Sequence, residues 1–386
     1  MMKKYDFDSL IPRRNSDSVK WKRYPEDVLP LWVADMDFPS PPEIIEAMND
    51  RLKHPFFGYG CIDDELLDVI CQWVFSQHGW KIKPDWILCV PGVVAGMNWA
   101  VQSMLQKGEK VCFQTPVYPP FFRFADYAGA EALKIPLLNS GERFLIDFDL
   151  FSKNLDENTK LFALCNPHNP VGRVFSTSEL EKMAEICLKK DMLICADEIH
   201  CDLVFSGNKH IPIASLSEEI ANNTITLMAP SKTFNIPGLH FSYAIVSNPE
   251  IRKKMESTRH GLVGHPGLLA YSASKAAYQF GEEWLKELLR YLEGNRDFLG
   301  DYLKERLPAI KSFSPEGTYL AWLDCRTLNL GGDAQQFFLE KAKVALNNGK
   351  DFGVDGKGFV RLNFGTPRSV LEEALDKMKS AIIGKK

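Results

Sequence analysis

Lys232 stands in the stretch MAPSKTFNIPGLHFS, residues 228–242, among small, apolar and hydroxyl residues and without a charged neighbour. Lysines ordinarily occupy solvated faces. One held in such surroundings loses hydration, its pKa falls, and the neutral amine can attack a carbonyl and form a Schiff base. The alternative is an ammonium that reaches a core carboxylate and does no chemistry. Asp197 is such a carboxylate: in ICADEIHCD, residues 194–202, it ends an apolar run, an expensive place for a charge unless it is paired. Asp197, Glu198, His200 and Asp202 also lie close enough in sequence to raise a metal site, but no other histidine cluster supplies the remaining ligands. Asn169, in NPHNPVG at 166–172, offers an amide to a ligand oxygen, or simply makes a turn, for which Asn-Pro is common. In CVPGVVAG, residues 89–96, an apolar run meets Gly92 just before a helical pattern opens at Val93. Free N–H groups at a helix start make a phosphate site; a plain strand–helix turn looks the same. The stretch is neither a Walker loop nor GxGxxG, so nucleotide binding gains no support.

The elements that must position these residues are legible between about 85 and 250. Candidate strands are WILCV (86–90), KVCFQ (110–114), EALKIPL (131–137), KLFALC (160–165), MLICAD (192–197), TITLM (224–228) and FSYAIV (241–246). They are rich in Val, Ile, Leu and Phe with little alternation, as in strands buried on both faces. VVAGMNWAVQSML (93–105) and SELEKMAEICLKK (178–190) read as helices between them, the second opened by a Ser176/Glu179 capping box. The alternation implies a doubly wound α/β unit with a mostly parallel seven-stranded sheet covered by helices. After residue 280 the texture changes to a long amphipathic helix at 282–307, strands TYLAWLDC (318–325) and GFVRLNF (358–364), and helices DAQQFFLEKAKVAL (333–346) and VLEEALDKMKSAII (370–383). We expect a large unit over 46–280 and a smaller α+β unit from 1–45 and 281–386, with the first 45 or so residues wrapping over the surface.

Placed at the ends of successive strands, these parts form one set: a phosphate-binding turn, an amide donor, a buried carboxylate and an activated lysine. Pyridoxal 5'-phosphate asks for this combination, since its aldehyde needs a lysine, its ring nitrogen an acid and its phosphate a helix start. Over nearly its full length the chain resembles the fold-type-I pyridoxal-phosphate enzymes of the aspartate aminotransferase superfamily, and within it the cystathionine β-lyase and cystalysin type of C–S lyase. The resemblance is carried by LPLWVADMDFPSPPEI, FFGYG, TPVYPPF, NPHNPVGRVF, DEIHCDL, APSKTFNIPGL and GFVRLNFGTPR.

That resemblance implies roles. Lys232 carries the cofactor and acts as general base, Asp197 pairs with the ring nitrogen, and Asn169 bonds the ring hydroxyl. The Val93 and Val94 amides and Ser231 hold the phosphate, Tyr118 stacks on the ring, and Arg361 forks onto the substrate carboxylate. Tyr59 reaches the phosphate of a neighbouring subunit, which implies a homodimer, and Asp35 borders the substrate pocket. The chain departs from the wider aminotransferase pattern at Ala229, where a hydroxyl is expected; at His240, where an arginine is; and at His200, where a tyrosine is. Ala229 and His200 fit the lyase subgroup. The implied reaction is β-elimination from a sulfur amino acid, with class I/II transamination as the alternative.

Bulk properties agree with a soluble cytoplasmic enzyme. The chain has 386 residues, 45% hydrophobic and 25% charged, enough for two to three domains. A net charge of −4 does not favour a nucleic-acid surface. The nine cysteines include no CxxC pair and sit mostly in apolar runs, as small core residues of a reducing compartment. The N-terminal MMKKYDFDSLIPRRN lacks the apolar run of a signal peptide. The uncharged window 86–106 is long enough to span a bilayer, but its Pro91, Gly92, Gly96, Asn98 and Gln102 read as strand, turn and buried helix.

Overall fold

The computed structural model describes residues 5–384; Met1–Lys4, part of the segment read above for a signal peptide, lie outside it. The expected strands form one seven-stranded sheet: β1 (Ile87–Val90), β2 (Lys110–Thr115), β3 (Glu131–Pro136), β4 (Thr159–Cys165), β5 (Leu193–Asp197), β6 (Thr224–Met228) and β7 (Ser242–Ile245), in the order β1-β7-β6-β5-β4-β2-β3. All neighbours are parallel except β7, which is antiparallel to both β1 and β6.

The period of two explains the unalternating sequences. In β4, Leu161, Ala163 and Cys165 pack with Val93, Met97 and Val101 on one face, while Phe162 and Leu164 pack with Leu180, Met183 and Cys187 on the other. Both faces are dry, so both sets of positions must be apolar. Helix α1 (Val93–Met104) covers the first face and α2 (Thr177–Lys189) the second, α2 opening with the Ser176/Glu179 capping box. α1 sits close to the sheet because Gly96 has no side chain: a Cβ there would meet Leu227 Cδ2 at 2.5 Å.

After residue 280, helix α3 (Glu282–Arg306) leads to an antiparallel sheet of β8 (Lys311–Ser312), β9 (Leu320–Asp324), β10 (Asn347–Asn348) and β11 (Phe359–Asn363), in the order β8-β9-β11-β10, and the chain closes with α4 (Arg368–Ile383).

The segment 333–346, read as one helix, is not one. Helical structure stops at Ala342, Lys343 takes a left-handed φ of 56°, and Val344–Ala345 pairs in parallel with Leu29–Pro30. Its apolar residues are used by strand pairing, which local periodicity does not report. Nor do the first 45 residues merely wrap the surface. Phe7, Trp21, Leu31, Met36 and Phe38 are core residues, and Leu31 receives a backbone hydrogen bond from Asn363 at the end of β11. Aperiodic sequence is enough here because the segment has, among its described residues, only one helical turn, Val19–Lys22, and a two-residue strand before residue 42, and is otherwise tied by side chains and single backbone hydrogen bonds.

Candidate active site

In a parallel sheet the strand ends that share an edge share a neighbourhood. Asp197, the last residue of β5, is in register with Cys165 ending β4 and Leu227 near the end of β6. Asn169 follows β4, and Lys232 follows β6 on the short helix Pro230–Thr233, with Ser231 buried beside it. Because β7 runs the other way, its first residue, Ser242, comes to the same edge and pairs with Val90. There the Ser242 Oγ accepts a hydrogen bond from Gly92 N at 3.1 Å. Gly92 has φ 115°, a conformation side-chain-bearing residues rarely adopt, and no side chain caps the first-turn amides of α1 at Val93 and Val94.

Lys232 Nζ donates to the carbonyl of Ala34 at 2.6 Å. No ion pair joins it to Asp197 among the described residues, so the salt-bridge alternative is not the arrangement adopted. Burial brings its pKa down to about 8; the field of Asp35 works against that fall, that of Arg361 with it and that of Asp197 against it. Asp197 is buried with one hydrogen bond, from Ile199 N to Oδ1 at 3.1 Å, and burial pushes its carboxyl up to about 7. His200 is buried too; burial, then the charges of Lys232 and Arg361, pull its pKa well below the usual value and keep it neutral.

Arg361, in β11, is also buried. Nη1 donates to Asn169 Oδ1 at 2.9 Å, Nη2 to Asn347 Oδ1 at 2.6 Å and to the Trp32 carbonyl at 3.1 Å, and Nε has no partner among the described residues. It makes no salt bridge among the described residues, and burial lowers its pKa to about 10. Tyr118 is half-buried near it, its phenol raised by burial. Asp35 is held by both nitrogens of the Arg13 fork at 3.0 and 2.9 Å. Tyr59 differs from the rest: it is fully exposed in its own chain, beside a groove of about 890 Å³ lined with Phe57, Leu239, His265 and Leu268. His240 is exposed with φ 53°.

The metal alternative comes apart. Glu198 turns away from Asp197 to accept from Ile213 N, with His210 Nε2 at 2.9 Å. Asp202 accepts from Trp73 Nε1 and from Thr233 Oγ1 at 2.8 Å, with His78 Nε2 at 3.2 Å. His78, Cys201 and Asp202 do cluster, but the Asp202 oxygens are occupied in anchoring Thr233, the neighbour of Lys232.

Sequence reasoning missed the carbonyl of Ala34 and the amides of Asn347 and Asn363. Asn363 had a signal, since two residues beyond Arg361 in a strand it lies on the same face. A backbone carbonyl leaves none.

The donor set fits pyridoxal phosphate. A glycine turn with uncapped amides suits its phosphate, and a singly bonded buried carboxylate suits a protonated ring nitrogen. A desolvated amine suits its aldehyde.

The aminotransferase class I and II family model matches residues 26–378. The chain belongs to that family. Among family relatives, cystathionine beta-lyase PatB of Bacillus subtilis is 42% identical, over 98% of this chain and 100% of that protein. Cystalysin of Treponema denticola, whose crystal structure contains pyridoxal 5'-phosphate, superposes with a TM-score of 0.96 at 36% identity, covering 100% of both chains. The pyridoxal-phosphate-bound C–S lyase of Staphylococcus hominis gives a TM-score of 0.93 at 34% identity, over 98% of this chain and 99% of that one.

Proposed function

We propose that this family member is a pyridoxal-phosphate-dependent C–S β-lyase that cleaves L-cystathionine, L-cysteine or a related S-substituted cysteine to a thiol, pyruvate and ammonia. The observation that carries it is the half-buried Lys232 amine, held at the Ala34 carbonyl and lowered to about 8, on one sheet edge with Asp197 and in the field of Arg361. Full-length likeness to cystathionine β-lyase selects the lyase branch.

Lys232, Asp197, Asn169, Ser231, Tyr118, His200 and the Val93 and Val94 amides hold the cofactor in this reading. When bound, the pyridoxal ring accepts the electron pair left at the substrate Cα. Arg361 takes the substrate carboxylate through its fork, with Asn169, Asn347 and the Trp32 carbonyl fixing the guanidinium plane. That orients the Cα–H toward Lys232, whose neutral Nζ removes the proton as general base. The Ala34 carbonyl stands ready to accept from the resulting ammonium. Asp197, ionised by a cationic ring nitrogen, holds that nitrogen protonated. The C–S bond breaks as the Cα=Cβ bond forms, and the Lys232 ammonium returns its proton to the departing sulfur. Water takes the three-carbon fragment to pyruvate and ammonia.

Tyr59, Phe56 and Phe57 are exposed in the single chain, which supports a homodimer in which Tyr59 completes the neighbouring site. Asp35, locked by Arg13, borders the substrate pocket. The pairing of Leu29–Pro30 with Val344–Ala345 supports a small unit built from 1–45 with 281–386, beside a large unit at 46–280. Nine free cysteines, most of them buried, support a reducing cytoplasm. No described helix is long and apolar enough to cross a membrane.

The deciding experiment mixes purified, cofactor-loaded protein with L-cystathionine and no keto acid and follows pyruvate. Release over many turnovers is expected. A single turnover restored only by a keto acid would make the protein an aminotransferase.

A further inference from the structure

Another lysine is fully buried, and the chemistry above does not use it. Lys20, on the short helix Val19–Lys22, is fully buried; its Nζ donates to Asp37 Oδ2 at 2.7 Å and to the Asp35 carbonyl at 2.8 Å. Asp37 is buried as well, and its Oδ1 takes Trp21 Nε1 at 2.7 Å and Arg13 Nη1 at 2.9 Å. Arg13 also reaches the Met36 carbonyl at 3.0 Å. A lysine sealed from water is costly unless its position matters, because both its charge and that of its partner lose hydration.

What the pair holds is the bent run Leu31–Phe38, which passes over Lys232. Every carbonyl from Trp32 to Met36 accepts from a side chain: Trp32 from Arg361, Val33 from Asn363, Ala34 from Lys232 and Tyr319, Asp35 from Lys20 and Asn363, Met36 from Arg13 and Asn235. The donors come from two sides. Arg361, Asn363, Tyr319, Lys232 and Asn235 belong to the site and its supporting strands, whereas Lys20 and Arg13 belong to the N-terminal segment. Lys20 and Arg13 hold the next two carbonyls, Asp35 and Met36, with Asp37 between them, so the path of the run past Lys232 is fixed from outside the site.

We propose that Lys20, Asp37 and Arg13 are positioning residues, a buried ionic latch that fixes the Ala34 carbonyl as the acceptor for Lys232 Nζ whenever the lysine is free of the cofactor. The proposal rests on Lys232 being the reacting amine of the proposed function. A latch of this kind governs the catalytic step more than substrate capture, because Arg361 keeps Asn169 and Asn347 if the Trp32 carbonyl shifts.

The test is the double variant Lys20→Met/Asp37→Asn in the full chain, which removes the ion pair without changing net charge and leaves Asp35, Asp197, His200 and Arg361 around Lys232 in place. In the cofactor-free protein, amide hydrogen exchange at residues 32–37 is expected to rise at least ~10-fold with the amides of the seven-stranded sheet unaltered. The pH midpoint for uptake of pyridoxal 5'-phosphate by Lys232 is expected to move down, because a hydrogen bond that favours the ammonium is lost. With L-cystathionine, kcat is expected to fall about tenfold with KM within about threefold. Unchanged exchange at 32–37, or an unmoved uptake midpoint, overturns the proposal. Should the double variant open the sheet amides as well, Arg13→Gln decides, since that side chain is partly exposed and grips the same run through the Met36 carbonyl and the Asp35 and Asp37 carboxylates: local acceleration at 32–37 upholds the latch, and none refutes it. Exchange and uptake need no substrate, so a failure of the lyase reading appears in the pyruvate assay alone.

Discussion

Asp197→Asn in the cofactor-free protein should stabilise the fold, and by an amount that depends on pH. Folding raises the Asp197 carboxyl from 3.8 to about 7, because burial removes water from the charged form and only Ile199 N replaces it. Between those values the folded chain holds a proton that the unfolded chain has released, so the contribution of Asp197 to stability declines as pH rises through this window and levels off above about 7. At ~1.4 kcal/mol for each tenfold change in proton affinity, the full penalty is roughly 4 kcal/mol. Most of it, roughly 2.5 kcal/mol, develops between pH 5 and pH 8. Asparagine keeps the shape and the acceptor for Ile199 N but cannot ionise. Urea unfolding of wild type and variant, followed by tryptophan fluorescence at both pH values, should show the variant ahead by more at pH 8 than at pH 5. Every other titrating group is common to the two proteins, so the change in the gap belongs to Asp197 and to its direct effect on neighbours such as Glu198. Saturating pyridoxal phosphate should reverse the order at pH 8, because a protonated ring nitrogen gives the wild-type carboxylate the partner it lacks. A gap that does not move with pH, or one that shrinks toward pH 8, would refute the reasoning.

Other perturbations test other parts of the site. Uptake of pyridoxal phosphate by the cofactor-free protein should rise with pH to a plateau with a midpoint near 8, read by absorbance; a midpoint near the ordinary lysine value of 10.5 would mean that Lys232 is solvated. Arg361→Leu should leave cofactor binding in place and raise KM by ~10²-fold, as expected for losing a charge-assisted fork, and steady-state kinetics will report it. Gly92→Ala meets no atom within 4 Å, so its cost is the strain of φ 115°, about 1–2 kcal/mol, and it should appear as weaker cofactor retention in equilibrium dialysis. Mixing Lys232→Ala with Tyr59→Ala under subunit exchange should recover roughly a quarter of the activity of wild type, since one site of each mixed dimer is intact; no recovery would place Tyr59 outside the neighbour's site.

The division between what sequence determines and what tertiary structure decides follows the range of the interactions. Six strands of the main sheet were readable because burial on both faces forces unbroken apolar runs, a local imprint that TITLM and KLFALC carry residue by residue; the seventh, Glu131–Pro136, read as buried on both faces, is instead a largely exposed edge strand. Lys232 and Asp197 were readable because each stands against its surroundings, an ionisable group in a segment that offers it no water. The capping box at Ser176 and Glu179 is local by nature. Asn347 and the strand Val344–Ala345 were not readable, since their partners are Arg361 and Leu29–Pro30. The same holds for residues 5–38, whose lack of period concealed a latch of Lys20, Arg13 and Asp37 over the site. Sequence also left open whether Lys232 would pair with Asp197. Tertiary structure settled that by bringing the Ala34 carbonyl, 198 positions away in the chain, to the amine instead. Residue types set which groups can react; only the path of the folded backbone sets which oxygen a lysine meets.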